Sequence, residues 1–76
     1  MNQSSISIQE FIDSYKESLG VEGAEKLIKQ TTAKLGFSEH KECTKEEALK
    51  ICRELKKHPG FVGIIGGILH SRIIIR

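Results

Sequence analysis

Tryptophan is absent from this 76-residue chain, which holds one tyrosine, one proline, one methionine and two cysteines. Each scarcity narrows the reading. Two cysteines with no export signal read as reduced thiols, not as a disulfide framework. With Thr44 to His58 taken as a helix, Cys43 and Cys52 stand about 13 Å apart along its axis. A bridge needs alpha carbons within about 7 Å, so none is expected between them. The opening residues Met1 to Ser5 lack the basic region and apolar stretch of a secretory signal, and a cytoplasmic setting is expected. The longest apolar stretch, Phe61 to Leu69, is broken by glycines and followed by His70, Ser71 and Arg72, well short of the roughly 20 residues of a membrane span. Internal repeats and low-complexity segments are also missing.

At 76 residues there is room for one core, and the chain is expected to be one domain with residues 1–6 disordered. A chain of this size buries only about 60% of its unfolded surface, which leaves little surplus stability to hold strained catalytic groups. A non-enzymatic role is therefore expected. Hydrophobic residues make up 38% and charged residues 29%, too apolar for a disordered tail and too polar for a membrane protein.

The apolar spacing predicts helices. Ser7 and Glu10 have the spacing of a capping box ahead of Ile8, Phe11, Ile12, Tyr15 and Leu19, and Gly20 follows as a stop. Glu22 and Glu25 suit the positive end of a second helix carrying Ala24, Leu27, Ile28, Thr31 and Leu35, closed by Gly36. Phe37 to Cys43 reads as a loop. Thr44 and Glu47 form a second box ahead of Ala48, Ile51, Cys52 and Leu55, and Pro59 with Gly60 ends that helix.

The last segment admits two readings. As a helix, Phe61 to Ile74 is apolar nearly all round and must be central or shared. As a hairpin, it would turn at Gly66 and Gly67, with the β-branched Ile73, Ile74 and Ile75 favouring strand. Helix is preferred, because an isolated hairpin lacks the further strands that bury its face. The fold class is thus all-α, a compact bundle of about four short helices: Ile8 to Leu19, Glu22 to Leu35, Lys45 to His58 and Phe61 to Ile74. The expected core is Phe11, Ile12, Tyr15, Leu19, Leu27, Ile28, Leu35, Phe37, Ala48, Ile51, Leu55, Phe61, Ile65 and Leu69.

No catalytic, cofactor-binding or metal-binding set emerges. His40-x-x-Cys43 has the spacing of half a structural zinc site, but no second such pair completes it. Cys52 lies on an apolar stripe, where a thiol stays protonated and behaves as a small hydrophobe. Gly20-Val-Glu-Gly23 and Pro59-Gly60-Phe-Val-Gly63 carry no phosphate-loop lysine and serine, and read as turns.

Two surfaces remain. Gly63 and Gly67, four apart, would let another helix approach closely, from the same chain or from a partner, and Ile73, Ile74 and Ile75, which cannot all face one core, either tuck into a groove of their own fold or are covered from outside. These five are the expected interface, for another protein or a second copy of the chain. The alternative is weak nucleic-acid binding. Residues 1–43 carry five lysines against seven acids, net −2, while residues 44–76 carry seven bases against three acids, net +4. Lys50, Arg53, Lys56 and Lys57 form a basic face of the third helix that could touch phosphates. Nucleic acid is disfavoured as the partner, because a recognition helix needs a polar face and the segment that follows Pro59 is apolar.

Overall fold

In the computed structural model, residues 5–37 and 41–76 are described. The elements run β1 (Ile6–Ser7), α1 (Ile8–Lys34), β2 (Glu42–Cys43), α2 (Lys45–Lys56) and α3 (Phe61–Ile74). Among the described residues the architecture is mostly helical, as expected, but with three helices in place of four and a two-stranded ladder that the sequence pattern had not shown.

The helix count differs because of what Gly20 does. Its backbone lies at φ 76, ψ 169, a region essentially reserved for glycine, so the expected break is present. Only this one residue leaves helical geometry, and the chain resumes its helix at once. The stretches expected as Ile8 to Leu19 and Glu22 to Leu35 therefore form one kinked helix. Its first arm buries Phe11, Ile12 and Tyr15, and its second buries Ala24, Ile28, Thr31 and Thr32.

At the start of α1, the Ser7 hydroxyl accepts from the Gln9 amide at 3.1 Å. Glu10 pairs with Arg76 at the far end of the chain, its partners in space being tertiary. The second box forms in full: the Glu47 amide donates to Thr44 Oγ1 at 3.1 Å and the Thr44 amide to Glu47 Oε1 at 2.9 Å. Helix α2 stops at Lys56, two residues before the expected His58. The cause is Pro59, whose ring disfavours helical backbone at the residue before it.

The ladder pairs Ile6 with Cys43 and Ser7 with Glu42, antiparallel, and Ile8 extends it by donating its amide to the Lys41 carbonyl at 2.9 Å. Ile6 is buried. Of the residues expected to be disordered, 1–4 lie outside the described residues, while Ile6 is paired and packed. Cys43 sits in β2 and not on a helix, so the axial separation expected from Cys52 does not apply; both thiols are free.

Residues 61–74 are helix, and no hairpin forms. The first turn of α3 is held to α1 by Tyr15, whose hydroxyl donates to the Val62 carbonyl at 2.7 Å. The buried core joins Ile6, Phe11, Ile12, Tyr15, Ala24, Ile28, Cys43, Ala48, Ile51, Cys52, Leu55, Leu69 and Ile73. Full burial of a large side chain contributes about 1.5–3 kcal/mol, so Tyr15, Phe11, Ile28, Ile51, Leu55 and Ile73 dominate the stability. Leu19, Leu27, Leu35, Phe37 and Ile65 flank this core as partly buried residues, whereas Phe61, expected inside, is exposed.

Candidate functional site

The feature that stands out is the outer side of α3. Its inner side carries Gly66, Leu69 and Ile73, all buried, with Gly63 beside them. A Cβ on Gly66 would lie 2.9 Å from Leu55 Cβ and 3.1 Å from the Lys56 amide nitrogen, and one on Gly63 would overlap the His58 carbonyl oxygen. The glycines that permit close helix packing are thus Gly63 and Gly66, and the helix they admit is α2 of the same chain.

That contact sets the rotation of α3 about its axis. At 100° per residue, Phe61, Ile64, Ile68 and Ile75 then share an arc of roughly 60° on the opposite side. They are 47%, 65%, 52% and 83% exposed, and Ile74 beside them is 50% exposed. Of the interface expected from sequence, Gly67, Ile74 and Ile75 do face outward; a Cβ on Gly67 would meet nothing within 4 Å. Gly63 and Ile73 do not. Gly63 is occupied by the end of α2, and Ile73 is 1% exposed in the core.

Phe61, Ile64 and Ile68 belong to the surface and escaped the sequence reading. The usable signal was the pair of series inside one helix: Gly66, Leu69 and Ile73 at i, i+3, i+7, and Phe61, Ile64 and Ile68 at the same spacing. A helix that is apolar on all sides offers no polar face to say which series turns inward. Gly63 and Gly66 lie against the end of α2 and mark the inward series, while Gly67, the third glycine of the helix, faces out.

The stripe is almost free of charge. No acid occurs in residues 61–76, and the bases there are Arg72 and Arg76. Arg76 is engaged with Glu10, whose carboxylate holds its guanidinium above the ordinary value, and its carbonyl accepts from Lys45 Nζ at 3.1 Å. On α2, Lys50, Arg53 and Lys56 are exposed, but Lys57 pairs with Glu54 at 2.9 Å, and Lys34 reaches the same carboxylate at 3.0 Å. The hydrogen bonds from Lys57 and Lys34 keep the Glu54 carboxyl below its usual value. The basic face therefore contains a neutralising acid at its C-terminal end.

The thiols are chemically quiet. Burial pushes Cys43 and Cys52 up to about 11, with Glu47 adding to the effect at Cys43 and Cys43 adding to it at Cys52. Cys43 also donates its thiol hydrogen to the Ile6 carbonyl at 3.4 Å. A thiol held so high is protonated near neutrality and is a poor nucleophile. Among the described residues, no three His, Cys, Asp or Glu side chains come together as a metal site. His40, the other half of the spacing noted with Cys43, lies outside the described residues. No helix among the described residues is long and apolar enough to cross a membrane.

Compared with known proteins, the chain matches no family model, no curated protein sequence and no solved structure.

Proposed function

We propose that this chain is a small, non-enzymatic docking module of regulatory type whose working surface is the outer side of α3. The observation that carries the reading is the stripe of Phe61, Ile64, Ile68 and Ile75, four large apolar side chains at helical spacing, each about half exposed or more. Together they leave an apolar area on the order of 400 Å², within the range of the largest patch on a typical monomer, which is often a functional one. Burying it in water-excluding contact would contribute roughly 10 kcal/mol before the costs of association. The buried, protonated thiols of Cys43 and Cys52 suit this non-catalytic role, and a cytoplasmic setting is part of the same proposal.

Site-specific photo-crosslinking in cells tests the reading. A photoreactive residue at position 64 or 68 is expected to yield protein adducts, and the same residue at the exposed Lys29 on α1 is expected to yield none. If positions 64 and 68 capture only lipid, or no macromolecule, the docking role is wrong.

A further inference from the structure

We infer that the occupant of the α3 stripe is a second copy of this chain, bound with its α3 antiparallel to the first about a twofold axis at Ile68. The inference rests on the docking role proposed above and names the partner.

The spacing of the stripe is self-complementary. Phe61 lies seven residues before Ile68 and Ile75 seven after; Ile64 lies four before and Arg72 four after. An antiparallel copy therefore sets Ile68 on Ile68, Phe61 on the second copy's Ile75, and the aliphatic stem of Arg72 on the second copy's Ile64. One surface serves both partners, as a twofold interface requires.

Shape agrees with that register. Ile64, Gly67, Ile68 and Ser71 stand at i, i+3, i+4 and i+7, the four corners of a hole that receives a side chain from a facing helix. Gly67 opens onto empty space, so the hole has one low wall. Antiparallel pairing about Ile68 brings the second copy's Ile68 to that low wall.

Charge favours the antiparallel sense. Within α3 the stripe carries no acid and its flanking base is Arg72, since Arg76 is held by Glu10; Lys45 stands at the Ile75 end through its bond to the Arg76 carbonyl. Antiparallel pairing separates the two Arg72 by about 12 Å along the axis, near the screening length at physiological salt. Opposed helix dipoles also attract. A parallel pair would bring the arginines together and align the dipoles.

The small apolar area places the dimer among weak, reversible associations. A standard interface buries about 800 Å² per partner, slightly more than half of it apolar. The stripe supplies roughly that apolar share with little to spare. The dimer is accordingly expected at micromolar strength, with a dissociation constant of about 1–100 µM.

Sedimentation equilibrium of the intact chain at about 1–500 µM decides the matter, a range that brackets this constant. The expected result is a monomer–dimer equilibrium that Ile68→Glu weakens at least about tenfold, with an unchanged helical circular dichroism spectrum, since Ile68 is half exposed. Under a disulfide oxidant, Ile68→Cys is expected to link two chains. Phe61→Cys, about 21 Å from its copy along the antiparallel pair, is not. A wild-type chain that stays monomeric throughout overturns the inference, as does a dimer indifferent to Ile68→Glu or one that Phe61→Cys links as readily. A monomer that instead binds anionic vesicles also overturns it. Photo-adducts from position 64 to an unrelated protein would reject the second copy and leave the docking role standing.

Discussion

Among the described residues, three buried titratable side chains hold their protons more tightly in the fold than in the unfolded chain. Burial raises Cys43 and Cys52 from about 9 to about 11, and Tyr15 from 10 to about 12, with Cys52 adding to the effect at Tyr15. When the native state keeps protons that the unfolded chain releases, stability falls as pH rises. The contribution of the thiols is whole below about pH 9 and is lost as pH passes through 11; that of Tyr15 follows one unit higher. Each difference of two in pKa corresponds to roughly 2–3 kcal/mol, against a total of about 5–10 kcal/mol for a chain of this length. Urea unfolding is expected to give a constant midpoint from pH 7 to about 8.5 and a steep decline above it. Cys52→Ala should flatten part of that decline while lowering the midpoint at pH 7 through the small cavity it leaves. A midpoint that holds steady to pH 11 would contradict the burial assigned to these groups.

At the scale of elements, α3 keeps three glycines at a cost in helix propensity of about 1 kcal/mol each, and their surroundings differ. A Cβ on Gly66 would press on Leu55, one on Gly63 would overlap the His58 carbonyl, and one on Gly67 would meet nothing within 4 Å. Alanine at these positions should consequently separate in sign. Gly66→Ala is expected to destabilise by about 1–3 kcal/mol because a methyl group must push against α2 backbone, which a helix gain cannot offset. Gly63→Ala should cost more, as the obstacle is a carbonyl fixed by the Pro59 turn. Gly67→Ala is expected to stabilise the monomer by about 0.5–1 kcal/mol. Thermal melts of the three variants under monomeric conditions check the order, and a destabilising Gly67→Ala would show that α3 is rotated from the phase described. The kink in α1 follows the same logic. At φ 76 and ψ 169, Gly20 has a conformation that any side chain would strain.

Across the whole molecule, the two ends of the chain are knitted together. Arg76 binds Glu10 and Lys45, Ile6 pairs with Cys43, and Tyr15 holds Val62, so contacts far apart in sequence close the structure. Leu69 and Ile73 complete a core shared with Ile51, Cys52 and Leu55. Helix α3 is thus both a wall of the core and the outer surface proposed for docking. Removing the chain from Phe61 onward would uncover the inner side of α2, and the remaining 60 residues are expected to lose most of their helical signal at 25 °C. A truncated chain that kept a cooperative unfolding transition would show that α1 and α2 suffice for the core. For mapping the docking surface, single substitutions at Ile64 or Ile68 are therefore the better instrument than deletion.

Local rules written in the residues determined much of this protein. The Thr44 and Glu47 cap and the extent of α3 are decided by interactions within a turn or two and were legible along the chain, whereas Gly20, read as the end of one helix, is a kink inside α1, and α2 ends at Lys56 short of the expected His58. The stripe of α2 was legible as well, because polar residues cover its other side. What only the tertiary structure decided was which way α3 faces and what the loop residues touch. Its apolar side chains surround the helix without a period, so the inward series was chosen by the fit of Gly63 and Gly66 against α2. Likewise the ladder of Ile6 with Cys43 joins residues 37 apart, too short on each side to leave a pattern. Spacing fixes a helix's own geometry; the face it buries depends on which neighbour can come close.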